Sequence, residues 1–206
     1  MASGQTPSQT VGPFFAYGLT PQQYGYNLTS VASPQVADES TEGTRIRIQG
    51  QVFDGEGAPV NDAMIEIWQA DHEGRYAHPG DHRRPNSGFN GFGRTGTGTD
   101  ADLQFWFDTI KPGMINPEQA PHISVIVFMR GLPSHVYTRL YFSDEAARNA
   151  IDPVLQLVPE DRRSTLIARR LEGAGADGTG VDGSGPATYK FDIHMQGDQE
   201  TVFFDV

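Results

Sequence analysis

The sequence predicts an antiparallel β-sandwich extended by an N-terminal arm and decorated with a few short helices. Three observations predict it. Seven or eight short segments are either alternating or densely apolar, with many β-branched and aromatic residues. Turn formers separate them, with 24 glycines and 14 prolines among 206 residues. Helical pattern is confined to a single region.

The segment 1–44 is polar and broken by Pro7, Gly12, Pro13, Pro21 and Pro34, with Phe14, Phe15, Tyr17, Tyr24 and Tyr26 scattered through it. It has too few apolar residues for a core of its own, yet its aromatics need a surface to pack on. An ordered arm lying on the domain or on a partner subunit is expected. The domain proper, 45–206, opens with Arg45–Phe53, which alternates polar and apolar as a half-buried strand. Asp54-Gly55-Glu56-Gly57 is a turn. Strands are expected next at Ala63–Ala70 and, after the Gly/Thr-rich stretch Gly91–Asp102, at Leu103–Asp108. His122–Met129, Val136–Phe142, Tyr189–Met195 and Thr201–Asp205 follow. Between them, Ser143 is a plausible N-cap for a helix over Ser143–Ala150, with Asp144 and Glu145 in its first turn. Glu160–Leu171 carries its basic residues late, as the helix dipole prefers. Gly173–Gly185 is low in complexity and reads as a surface loop.

Composition excludes several functions. With 15 Lys and Arg against 26 Asp and Glu, the formal net charge is −11, and such a field repels nucleic acid and anionic membranes. No apolar run approaches the ~18 residues of a membrane span. The absence of cysteine removes disulfides, thiolate nucleophiles and thiolate-bound metals. The N-terminal MASGQTPSQT has neither a basic nor an apolar export signal, so a cytoplasmic location is expected.

Candidate chemistry lies between Glu66 and Phe142. His122 and Ser124 point to the same face of one strand. His122 at the mouth of that strand is a possible ligand, although a lone histidine is more often structural. Tyr76 follows a Gly-Arg turn and offers a hard oxygen suited to ferric iron, or simply a packed ring. His72, His78 and His82 lie on a Gly/Pro/Arg-rich stretch without regular register and are expected to be solvated.

The ordered series Gly50-Gln51-Val52-Phe53-Asp54-Gly55, Ile65-Glu66-Ile67-Trp68-Gln69-Ala70-Asp71, Gly74-Arg75-Tyr76, Gly93-Arg94-Thr95, Thr109-Ile110-Lys111-Pro112-Gly113, Ala120-Pro121-His122-Ile123 and Thr138-Arg139-Leu140-Tyr141-Phe142 resembles the intradiol ring-cleaving dioxygenases. The resemblance implies a prealbumin-like sandwich. In catalytic members it implies a non-haem ferric ion held by two tyrosines and two histidines, with an arginine assisting. Carried over, the first tyrosine is Tyr76 and the first histidine His122. The second tyrosine position holds Ile115, the second histidine position Ser124, and the arginine position Gln119. Two ligands are missing, so no catalytic residue and no metal are expected in this chain.

Thr6-Pro7-Ser8-Gln9-Thr10 with Gly12-Pro13-Phe14, and the C-terminal Glu200–Asp205, resemble the alpha chain of heteromeric members. That implies a catalytic beta partner carrying Fe(III), a higher-order hetero-oligomer, and 3,4-dihydroxybenzoate as substrate, opened by O2 to 3-carboxy-cis,cis-muconate. The arm residues Thr10, Gly12, Pro13 and Phe14 would wall the partner's site, Gly12-Pro13 giving a rigid bend that approaches a planar ring. Arg130 would attract the substrate carboxylate, while Arg139, mid-strand, is expected to be structural. Two alternatives stay open. One is a self-sufficient dioxygenase using Tyr76, His122 and either His72 or His78. The other is a β-sandwich interaction module without catalysis.

Overall fold

The computed structural model describes residues 9–12, 14–83, 88–171 and 185–205. Nine strands form: β1 Arg45–Phe53, β2 Met64–Trp68, β3 Phe92–Gly96, β4 Gln104–Ile110, β5 His122–Phe128, β6 Val136–Phe142, β7 Ile167–Arg170, β8 Ala187–Lys190 and β9 Ile193–His194. Alternation works as expected in β1, where Ile46, Ile48 and Val52 are fully buried and the intervening side chains are half-exposed. Inward side chains from β1, β2, β4, β5, β6 and β8 meet in one core that includes the rings of Phe105, Phe107, Phe142 and Tyr189. Each such side chain contributes about 1.5–3 kcal/mol by leaving water.

The strand order is β3-β2-β5-β6-β7-β8-β1-β4, with β9 also paired to β1. This corrects the expected antiparallel, prealbumin-like sandwich. The strands form one mixed sheet that curls into a nearly closed, barrel-like fold, its end strands β3 and β4 approaching one another. Three joins are parallel: β6 with β7, β1 with β8 and β1 with β9. Period-two burial reports which face of a strand is inside but not which neighbour it takes. Parallel pairing requires a long crossover, which residues 143–166 supply between β6 and β7.

That crossover also corrects the helices. Ser143–Glu145 is a 3-10 turn leading into α2, Ala146–Asn149, and Ser143 caps nothing; its Oγ accepts from the Arg170 amide at 2.9 Å, pinning the start of the crossover to β7. The expected helix at Glu160–Leu171 is a 3-10 segment only to Leu166, after which the chain becomes β7 because it lies along β6. The unforeseen α3, Pro153–Leu157, is capped by Asp152. Thr201–Asp205 is no strand: only Phe204 bridges to Tyr137. Strand β3 emerges from a stretch read as a break, and residues 173–184 of the low-complexity loop fall outside the described residues.

The described arm forms α1, Phe15–Leu19, and a 3-10 turn at Pro21–Tyr24. Gln23 bonds Gly96 in both directions, at 2.7 and 2.9 Å, and Gln35 bridges β4 at Asp108. No helix among the described residues is long and apolar enough to cross a membrane.

Candidate functional site

The outer face of the sheet carries a cleft whose floor is set by strand register. Trp68 on β2 lies opposite Ser124 on β5, and Ser124 opposite Arg139 on β6. Because Ile123 and Val125 point into the core, Ser124 and its row face outward. His122, two residues back on the same face, is buried opposite Tyr141.

One wall is the loop 71–83. Asp71 organises it: one carboxylate oxygen accepts from the Glu73 and Arg75 amides at 3.0 and 2.9 Å, and the other from Arg75 Nε at 2.8 Å. Its carbonyl accepts from the amides of Gly74 and Gly113 at 3.0 and 2.8 Å, so the Gly-Arg turn and the Lys-Pro-Gly segment lie back to back. Glycine is required at both contacts. At Gly74, whose φ is 77°, a Cβ would sit 1.8 Å from the Met114 carbonyl oxygen; at Gly113 it would sit 2.3 Å from that of His72. This locked pair fixes Tyr76 and Ile115.

Farther along, Asp81 accepts from the Tyr76 amide at 3.0 Å. Its carboxyl is held down to about 2 by the Arg83 guanidinium and by the amides of Tyr76 and Arg83. The cleft so formed encloses about 730 Å³ between Trp68, Tyr76, His78, Asp81, Arg83 and Ser124. The Tyr76 and His78 rings lie 6.3 and 6.1 Å from the Trp68 ring.

Electrostatics at the inner end centre on Arg139. Burial raises the Tyr76 hydroxyl above its ordinary pKa, with the Arg139 charge opposing. Burial likewise lowers His122; the Ala120 carbonyl counteracts this and Arg139 adds to it. The His122 Nδ1–H donates to that carbonyl at 2.8 Å, a backbone oxygen being able only to accept. Arg139 Nη1 donates to Gln119 Oε1 at 3.3 Å. The Tyr141 hydroxyl, pushed up to about 12 mainly by burial, donates to Asp152 at 3.1 Å. Asp152 is fully buried and also accepts from the amides of Ala120, Val154 and Leu155, each at 2.9 Å.

A family model described as Dioxygenase matches residues 19–197. The protocatechuate 3,4-dioxygenase alpha chain of Burkholderia cepacia is 54% identical over 202 residues, covering 98% of each chain. The chain belongs to the intradiol dioxygenase family. A protocatechuate 3,4-dioxygenase beta chain of Burkholderia cepacia is 35% identical over 167 residues, 77% of this chain and 67% of that one. Among solved structures, the dioxygenase domain of a carbohydrate-binding fusion from Streptomyces sp. SirexAA-E superposes with a TM-score of 0.59 at 26% identity, over 97% of this chain and 100% of that one.

As a member of the intradiol dioxygenase family, the chain places Tyr76 and Ser124 on one cleft, with His122 buried two residues back from Ser124 on the same strand face. Ile115, half-buried, and Gln119 come from the adjoining 112–119 segment. His78 and His82 are exposed, as expected, at the rim of the cleft, and His72, half-buried, lies 3.9 Å from Glu42. Arg139, expected to be structural, hydrogen-bonds within the fold to Gln119, and its charge also acts on Tyr76 and His122. Strand register carried that signal, since Arg139 pairs with Ser124, but the pairing was not assigned from sequence. Among the described residues no three His, Asp or Glu side chains converge as a metal site.

The residues expected to serve a partner are not in this cleft. Thr10 and Gly12 are exposed, Phe14 is 77% exposed, and Pro13 lies outside the described residues. Arg130 pairs with Asp62 just past the opposite end of β5, about 20 Å from Ser124 at strand rise.

Proposed function

We propose that this chain is the non-catalytic alpha subunit of a protocatechuate 3,4-dioxygenase, and that the ferric ion belongs to a homologous beta partner. The observation that carries this reading is the donor set of its own cleft. Ile115 has no lone pair, Ser124 offers a neutral hydroxyl, and the fixed positive charge of Arg139 lies beside Tyr76 and His122. These residues do not fit a trivalent cation, which needs anionic oxygen donors and no neighbouring guanidinium.

In this reading the chain acts at the boundary with beta, in a cytoplasmic hetero-oligomer. Thr10, Gly12, Pro13 and Phe14 form part of the partner's pocket wall, and the exposure of the described arm residues leaves them available to it. Arg130, with its side chain 55% exposed and shared with Asp62, takes the carboxylate of 3,4-dihydroxybenzoate and orients the ring. Ring opening by O2 then occurs on beta.

The test is to purify this chain alone, beta alone and the co-expressed pair, and to measure iron per chain with the visible tyrosinate-to-iron absorption. The isolated chain should be colourless and iron-free, and the pair should hold one iron per beta. Stoichiometric, coloured iron in the isolated chain would overturn the assignment and favour the self-sufficient dioxygenase.

A further inference from the structure

We propose that the concavity between the 3-10 segment Glu160–Leu166 and strands β7, β8 and β9 is a binding site for a phosphate-class oxyanion, anchored by Arg169 and Lys190. It shares no residue with the Tyr76 cleft and does not rest on the subunit reading.

Strand register carries the case. β7 and β8 pair antiparallel with Arg169 directly opposite Lys190, and both residues line a concavity of about 440 Å³. Like charges placed opposite one another across two strands destabilise the pair unless an opposite charge sits between them. The neighbouring carboxylates only half supply it. Lys190 Nζ lies 3.0 Å from Asp192, whose other oxygen already accepts from the Gln51 amide at 3.1 Å. Arg169 is exposed and pairs with no carboxylate among the described residues.

A third cation reaches the same concavity from the 3-10 segment. Arg162 Nη2 donates to the Glu200 carbonyl at 2.6 Å, which fixes the guanidinium, while its Nε is buried without a hydrogen-bond partner among the described residues. A buried donor left unpaired is costly, and a bound acceptor relieves it. Ser164, exposed on the same rim, adds a hydroxyl. Donors on three separate elements suit a tetrahedral oxyanion, which accepts from several directions, better than a planar carboxylate that one guanidinium fork satisfies. The rings at the site are already occupied: Phe191 is buried in the core, and His194 stacks on Phe53 at 4.9 Å. Asp161 and Asp198 line the rim and oppose an anion, but both are exposed and their field is screened by water and salt.

The experiment is calorimetric titration of the full chain with inorganic phosphate, glycerol phosphate and acetate at one fixed ionic strength. Phosphate should saturate one site per chain, and acetate should bind at least tenfold more weakly. Glycerol phosphate binding as well as phosphate would assign the site to phosphate monoesters, and phosphate binding alone would assign it to the free ion. Arg169→Gln and Lys190→Gln should each weaken phosphate at least fivefold, and Asp198→Asn should tighten it. Phosphate should also raise the melting point of the wild type above that in chloride of equal ionic strength, and the rise should vanish in Arg169→Gln. If the isolated chain does not fold, the same difference between wild type and Arg169→Gln is read in the co-expressed pair. No saturable binding, equal binding of acetate and phosphate, or unchanged affinity in both Arg169→Gln and Lys190→Gln would overturn the proposal.

Discussion

Removing the Asp152 carboxylate should be among the most damaging single changes available outside the barrel core. Asp152→Ala deletes the cap of α3 and withdraws the acceptor from the Ala120 amide and the Tyr141 hydroxyl, both buried. Loss of an N-cap costs about 0.5–2 kcal/mol. Each buried donor left without an acceptor costs about 1–3 kcal/mol more. The sum, about 2.5–8 kcal/mol, is a large fraction of the ~5–15 kcal/mol that holds a domain folded. Thermal unfolding of the full chain followed by circular dichroism measures it, with a melting-point drop of roughly 5–30 °C expected for a chain of this size. Asp152→Asn should lose less, because its carbonyl oxygen still serves the cap while its amide nitrogen opposes the Ala120 N–H. An Asp152→Ala variant within about 1 kcal/mol of wild type would show that water replaces the carboxylate, and that the residue does not organise the Ala120–His122 approach.

Three further outcomes are expected. Ile115→Tyr with Ser124→His should leave the chain with little iron, and near-stoichiometric iron should need Arg139→Gln as well; equal iron in the double and triple variants would show that the guanidinium is no obstacle. In the assembled enzyme, Arg130→Ala should raise KM for 3,4-dihydroxybenzoate about tenfold with little change in kcat, since a carboxylate contact worth ~1.5–3 kcal/mol is made equally in ground and transition states; a matching effect on catechol, which lacks the carboxylate, would instead point to folding or assembly. Burial raises the Asp144 carboxyl, but hydrogen bonds from Lys111 and Tyr189 outweigh it and the net pKa is lowered. The unfolded chain therefore binds the extra proton below about pH 4, and stability falls as pH drops through that region. Unfolding measured from pH 5 to pH 3 should lose part of its slope in Asp144→Asn, and an unchanged slope would remove Asp144 from the acid response.

What was legible in the sequence follows from what a single strand encodes. Arg45–Phe53 and Val136–Phe142 were bounded correctly because alternation or apolar density is a local property. Strand β3 was missed because its buried positions include Gly93, Thr95 and Gly96, residues that carry little apolar signal. The mixed topology was missed because β7 has only four residues and takes its identity from lying along β6, not from its own composition. At the site, Tyr76, His122, Ile115 and Ser124 were visible as positions in a motif series. Arg139, His78 and Trp68 were not assigned to it, since only the register of β2, β5 and β6 and the fold of the 71–83 loop bring them there.

The chemistry of the cleft follows from charges that remain after the missing ligands are accounted for. A ferric site of the family's kind needs tyrosinate charge to hold its cation. Here Tyr76 is driven toward its neutral form by burial, and His122 is driven the same way. Asp81 is ionised but carries its own counter-charge in Arg83, and Asp152 is spent on four donors within the fold. Arg139 at the inner end donates to the neutral Gln119 side chain, in a chain whose formal net charge is −11. With Ile115 and Ser124 at these positions, and Arg139 cross-strand from Ser124, the cleft lacks the donors that a ferric ion needs.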